Sequence, residues 1–356
     1  MNQQRLQKVL DNMKQAGLHQ LLVTETEPVY YLTGIWVSPM ERMMALYIRE
    51  DGKVTFFGNK LFAIAPQEGL EMVEHTDSDD PVAQLAAAVL PGELGIDETW
   101  PSRFLIGLMS HRPDVKPVLG SEPVAQATMY KDEEERELMR AASRIDDACI
   151  DMAIHAIREG ITEKELSSKV EHFFQEKGCD HLGFSIVAMG ANGADPHHGT
   201  DGTVLKEGDS IVMDIGAPFN HYWCDMTRTV FYKSAREEQR TVYETVRRAN
   251  EAAIAVVKPG VAFKEIDLAA RKVIEDAGYG EYFTHRTGHS IGMKEHEQPP
   301  VSSECEVIAK PGMIFSIEPG IYLPGKFGVR VEDLVLVTED GCEVLNKYPK
   351  DLIVVE

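Results

Sequence analysis

The stretch KEGDSIVMDIGAPFNHYWCDMTRTVFY, residues 206–232, decides the fold. Ser210 to Ile215 and Asp225 to Tyr232 are rich enough in β-branched and aromatic residues to form two antiparallel strands. Gly216-Ala-Pro-Phe-Asn220 supplies turn residues between them. A symmetric hairpin centred between Phe219 and Asn220 sets Asp214 directly opposite Asp225, with Cβ atoms about 4.5–5.5 Å apart on one face. The flanking Ile211, Val212, Met213, Val230 and Phe231 read as a buried strand pair rather than a solvated hairpin mouth. Two bare aspartates would repel each other there, so a positive occupant, a metal, is expected between them.

Working outward, the same pattern recurs. Lys206-Glu-Gly208 followed by Asp214-Ile-Gly216 lies over Lys310-Pro-Gly312 followed by Glu318-Pro-Gly320, a shift of 104 positions. Upstream, Arg158-Glu-Gly-Ile-Thr-Glu-Lys-Glu-Leu166 lies over Lys258-Pro-Gly-Val-Ala-Phe-Lys-Glu-Ile266 at a shift of 100. Each copy reads as a helix, a glycine break, a second helix and then strands. Asp214 and Glu318 are thereby equivalent, and Asp225 and Glu332 roughly so. A carboxylate pair from each half would meet at a pseudo-two-fold axis.

One further candidate ligand, His289, stands in TGHSIG; Glu318 stands in SIEPG and Glu332 in RVEDLV. Four carboxylates and one imidazole are hard donors suited to Mn²⁺, Co²⁺ or Zn²⁺. Two such cations, roughly 3.5–4 Å apart, can polarise a carbonyl and activate water, which points to hydrolysis.

The remainder of the chain bounds this reading. At 356 residues, two domains are the expectation. Residues 1–125 alternate helical and strand patterns: Arg5 to Gln15 with Leu6, Val9, Leu10 and Met13 on one face, then strands at Gln20–Thr24 and Met44–Ile48, and a turn at Asp51-Gly52. That segment holds no ligand cluster. Acidic residues from Asp132 to Glu135 open a long helix, and residues 126–356 form the second domain. A net charge of −22 argues against nucleic acid or an anionic membrane as partner. No apolar run approaches a membrane span, the N-terminus lacks a signal-peptide core, and five cysteines without CxxC spacing fit reduced thiols, so a cytoplasmic location is expected. Cys224 is a possible soft ligand beside Asp225, but a small buried residue facing away is the better reading.

The series VMDIGA, DMTRT, HRTGHSIG, EPG and RVEDL resembles the pita-bread metallopeptidases, in particular their proline-peptidase branch of Xaa-Pro dipeptidase (prolidase) and Xaa-Pro aminopeptidase. Cys224 stands where serine is more usual, and Ser290 where glycine is frequent. The resemblance implies an α+β architecture: a small creatinase-like α/β domain for dimerisation and capping, then a pita-bread domain with a curved antiparallel sheet. It implies that Asp214 chelates one metal, Asp225 and Glu332 bridge, and His289 and Glu318 complete a dinuclear site, with Mn²⁺ the leading ion. A bridging hydroxide would attack the scissile carbonyl with Glu318 as general base and proton carrier. His296 would donate to the carbonyl oxygen as charge develops. His197, in competition with His198, would contact the substrate. Arg330 would pair with its neighbours or with a substrate carboxylate, His285 would lend support, and Tyr222 is at a family-like position. Trp36 is a candidate cap from a dimer partner.

The expected substrate is a small proline-containing peptide, and the expected activity is Xaa-Pro dipeptidase. Xaa-Pro aminopeptidase is the alternative, followed by a metal-free binding or scaffold relative. A complete ligand set argues against the last.

Overall fold

The computed structural model describes residues 1–356, which divide into two compact units, Met1–Thr128 and Met129–Glu356. In the first unit, helix α1 (Gln3–Ala16) buries Leu6, Val9 and Met13 and stops at Gly17, whose φ of 70° suits only glycine comfortably. The unit is a six-stranded mixed sheet in the order β4-β3-β2-β1-β5-β6. Its strands are β1 (Gln20–Val23), β2 (Ala45–Arg49), β3 (Val54–Asn59), β4 (Glu71–His75), β5 (Gly92–Ile96) and β6 (Val115–Leu119). Helices α2 (Thr26–Thr33), α3 (Pro81–Ala88), α4 (Ser102–His111) and α5 (Glu122–Met129) accompany it. Leu22, Tyr47, Phe57, Leu85 and Leu94 fill its core.

The second unit opens with α6 (Glu133–Ala156), where Asp132 and Glu135 make a reciprocal capping box. Helix α7 (Glu163–Glu176) follows, then strands β7 (Phe184–Met189), β8 (Ser210–Gly216), β9 (Pro218–Phe219), β10 (Tyr222–Trp223) and β11 (Met226–Tyr232). The second half repeats the order. Helices α8 (Glu237–Val256) and α9 (Phe263–Asp276) precede β12 (Gly288–Ser290), β13 (Glu297–Val301), β14 (Ile314–Ile317), β15 (Gly320–Leu323), β16 (Phe327–Arg330), β17 (Asp333–Val337), β18 (Cys342–Val344) and β19 (Val354–Val355).

The duplication is visible in the hydrogen bonds. Thr162, just before α7, bridges Val204, and Ala262, just before α9, bridges Ile308: shifts of 100 and 104 between the copies. Each half keeps its own core. Val170, Phe174, Met213 and Val230 lie in one, and Phe263, Ile266, Phe315 and Val335 in the other. The sheets run β19-β11-β8-β7 and β13-β12-β14-β17-β18. The molecule is thus an α/β unit followed by a duplicated α+β unit with antiparallel sheets, the architecture expected from the sequence.

One expectation is corrected. Asp214 pairs with Thr227, not with Asp225. The hairpin turns on Asn220 and His221, both with positive φ (49° and 68°), and Phe219 pairs with Tyr222. Two left-handed residues make a two-residue turn whose twist suits antiparallel strands. The turn centre therefore lies one residue later than a Phe219–Asn220 centre, and the register moves by two. Because the shift is even, Asp225 and Asp214 stay on one face, as diagonal neighbours.

Candidate metal centre

The face of β8 and β11 carrying Asp214 and Asp225 meets the strands of the second half around a cavity of about 210 Å³. Asp214, Asp225, His289, Glu318 and Glu332 all line it. His289 Nε2 lies 3.4 Å from Asp225 Oδ2 and 3.6 Å from Glu318 Oε1. Ligand atoms of Asp225, His289 and Glu332 fall within 4.8 Å of one another.

Each side chain is fixed from behind. His289 sits on β12, where a Cβ at Gly288 would come within 2.0 Å of Ser316 O, so only glycine lets the two strands approach. The ring's Nδ1 is 3.1 Å from Ser290 O, which leaves Nε2 facing the cavity. Ser316 Oγ accepts from His289 N at 3.0 Å and donates to Glu318 Oε1 at 3.3 Å. Thr227 Oγ1 donates to Glu332 Oε2 at 2.7 Å. Arg330 forms a buried ion pair with Asp214 Oδ2 and also donates to Thr227 Oγ1 and Tyr322 OH.

The electrostatics are those of an acid cluster short of positive charge. Burial, then repulsion from Asp214 and Glu295, pushes Asp225 well above the usual carboxylate range. Burial with repulsion from Asp225 and Glu318 does the same to Glu332. Burial lifts Glu318 to about 7, although His289 and Arg330 oppose it. Asp214 Oδ1 and Glu332 Oε1 are buried and have no hydrogen-bond partner. Orphaned carboxylate oxygens, mutually repelling acids and one oriented imidazole fit divalent cations of the borderline-hard kind.

The remaining candidates are distributed as follows. His197 and His296 both line the cavity. The His296 ring lies against that of His289, with centroids 3.9 Å apart. His198 turns away, with Nε2 at 2.8 Å from the wholly buried Glu163, so packing leaves His197 as the one of the two adjacent histidines that lines the cavity. His285 stands 2.8 Å from Tyr322 OH, and burial pushes its imidazole down to about 4. Burial and the neighbouring His289 likewise push His296 down to about 4. Tyr222 donates to Glu135 in the interior rather than to the cavity. Cys224 is buried with its thiol 3.2 Å from Ala217 O and does not line the cavity. Trp36, in the first unit, is about 38% exposed and packs edge-on against Tyr30.

Sequence reasoning missed several cavity residues. Phe184, Ile186 and Pro196 form an apolar wall, and Glu295 and Arg286 complete the rim. Glu295 is adjacent to His296, a signal that was available. Phe184 and Ile186 look like ordinary strand residues, and nothing in their spacing marks them.

An α/β unit joined to a duplicated α+β unit with such a cluster of acids is the architecture of known metallopeptidases. Residues 137–339 match metallopeptidase family M24, and residues 5–128 match the creatinase/prolidase N-terminal domain. The chain is 35% identical to a dipeptidase from Pyrococcus horikoshii, with a TM-score of 0.94 over 98% of this chain and 99% of that one. It is 34% identical to a prolidase from Thermococcus sibiricus, also at 0.94, over 99% of both chains. A peptidase of Staphylococcus aureus is 34% identical over 97% of this chain and 99% of its own length. The chain belongs to metallopeptidase family M24.

Proposed function

We propose that this metallopeptidase is an Xaa-Pro dipeptidase that uses two divalent cations, Mn²⁺ foremost, held by Asp214, Asp225, His289, Glu318 and Glu332. The observation that carries this is the cavity itself: a small space in which these five groups face an apolar wall of Phe184, Ile186 and Pro196. At about 210 Å³ it is below the roughly 300–1,000 Å³ typical of drug-sized ligands, a scale suited to two residues of which one is a pyrrolidine ring. Proline makes an imide bond without N–H and restricts the residue before it, so a dedicated site makes physical sense.

When bound, the cations supply Lewis acidity toward the scissile carbonyl and toward water. The protein's own groups then do the following. Glu318 Oε1 is engaged by Ser316, which leaves Oε2 to take a proton from the attacking water and return it to the proline nitrogen. His296 is neutral at pH 7; with Nδ1 facing Arg286 at 3.3 Å, its Nε2–H is available to the carbonyl oxygen. His197 contacts the substrate from the Pro196 side. Arg330, with its donors directed to Asp214, Thr227 and Tyr322, acts by fixing Asp214 rather than by receiving a substrate carboxylate.

The proposal extends to a cytoplasmic homodimer in which the first domain caps the partner's site, with Trp36 as the candidate contact. No helix is long and apolar enough to cross a membrane.

The test compares hydrolysis of Ala-Pro and Ala-Pro-Ala by chelator-stripped protein reloaded with Mn²⁺, Co²⁺ or Zn²⁺. Metal-dependent cleavage of the dipeptide alone supports the dipeptidase. Preference for the tripeptide reassigns the chain to Xaa-Pro aminopeptidase, and no cleavage of either rejects proline specificity. Sedimentation of the purified protein decides the dimer.

A further inference from the structure

Building on the role proposed for His296, we infer that Lys131 and Glu297 form a buried strut that positions His296 against the metal centre. The imidazole of His296 is about 54% exposed, and its neighbours are Arg286 at 3.3 Å, Glu295 at 3.7 Å and the ring of His289. Apart from the His289 ring on one face, only the rim side chains of Arg286 and Glu295 touch it, so its placement also depends on the backbone that carries it.

That backbone is held at the next residue. Glu297 opens β13 and turns its carboxylate inward, where Oε2 meets Lys131 Nζ at 2.7 Å. Only 2% of the Lys131 side chain and 11% of the Glu297 side chain are exposed. The second oxygen, Oε1, accepts from Lys294 N at 3.4 Å and closes the turn on which Glu295 and His296 ride.

The other end of the strut is equally fixed. Lys131 N donates to Gly312 O at 2.9 Å, and Lys131 O accepts from Arg136 Nε at 2.9 Å. Gly292, three residues beyond His289, lies directly over the pair. A Cβ there would stand 2.6 Å from Glu297 Oε1 and 2.9 Å from Lys131 Cε. The strut therefore packs under the same segment that carries His289, and it sets the spacing of the two histidines. An ion pair buried this deeply contributes geometric specificity more dependably than net stability. Lys131 is a positioning residue and touches no substrate.

The experiment uses the full-length, Mn²⁺-loaded protein with Ala-Pro, comparing Lys131→Met, Glu297→Gln and Lys131→Arg, each also crossed with His296→Ala. A displaced His296 should lower kcat by about 10–100-fold in Lys131→Met and Glu297→Gln while KM changes little. Lys131→Arg should restore much of the rate. Metal stoichiometry by calorimetry should be unchanged. In the His296→Ala background, the same substitutions should cause almost no further loss. Unchanged kcat, or equal fold-losses with and without His296, overturns the inference. Wild-type turnover by His296→Ala alone overturns it too, by removing the proposed role of that histidine. Should Lys131→Met fail to fold, Lys131→Met/Glu297→Met, which leaves no unpaired charge, provides the same comparison.

Discussion

Thr227 on β11 donates its hydroxyl to Glu332 Oε2 at 2.7 Å, joining the first half of the duplicated unit to an acid of the second. Thr227 Oγ1 in turn accepts from Arg330 Nε at 3.0 Å, and Thr227 pairs in register with Asp214. One threonine thus aligns two of the carboxylates proposed as ligands. Thr227→Val keeps the shape and removes both hydrogen bonds. Metal affinity should fall by about 10–100-fold, the range expected for losing a group that orients a ligand. Calorimetric titration with Mn²⁺ measures it; wild-type affinity would show that Glu332 needs no such support.

Glu332 itself has Oε1 unpartnered, and burial together with three nearby acids raises its pKa. Glu332→Ala should leave folding intact, abolish turnover and reduce the metal bound per chain. Removing a repelling carboxylate should also make the chelated protein no less stable than wild type. Full turnover in this variant would reject a dinuclear centre.

The acid cluster carries a pH signature. An acid with a folded pKa above its unfolded value stabilises the fold at low pH, and that contribution is lost as pH rises through the folded pKa. Glu318, at about 7, and Asp225 and Glu332, well above the usual range, all behave this way. His285 and His296, pushed down to about 4, have the opposite slope, but their contribution ends near their unfolded pKa of about 6.5. In excess chelator, the melting temperature should therefore fall as pH rises from about 5 to about 7, where three raised acids outweigh the two histidines. Excess Mn²⁺ should shrink or reverse that fall, because binding requires deprotonated ligands. A chelated protein that gains stability across this window contradicts the raised pKa values.

Glu163 anchors the loop that carries His197. Its carboxylate accepts from Met189 N at 2.7 Å, Asn192 Nδ2 at 2.9 Å and Asp201 N at 3.0 Å, and faces His198 Nε2. Glu163→Ala leaves several buried donors unsatisfied and should cost about 3 kcal/mol or more in urea unfolding. KM for the dipeptide should rise as His197 loses its fixed position. A cost under about 1 kcal/mol would mean that the loop is held by other contacts.

Much of the fold was legible because it is local. The acidic opening of the long helix at Asp132–Glu135, the first helix with its Leu6, Val9 and Met13 face, and the duplicated helix–strand order all follow from spacing along the chain. Placing Asp214, Asp225, His289, Glu318 and Glu332 around one cavity also followed, since the duplication sets equivalent acids on equivalent strands. The hairpin register did not follow. Two consecutive left-handed residues, Asn220 and His221, moved the turn by one position, and composition does not distinguish that turn from its neighbour.

By itself, the sequence determined the two-unit order, the internal repeat and the set of acids and imidazole, because periodicity and motif are properties of neighbouring residues. Tertiary structure alone decided which of His197 and His198 faces the cavity, that Arg330 locks onto Asp214, and that Lys131 reaches Glu297 across 166 positions. Those pairings depend on which buried charges come within a few ångströms in the folded core. Chain distance carries no information about that separation.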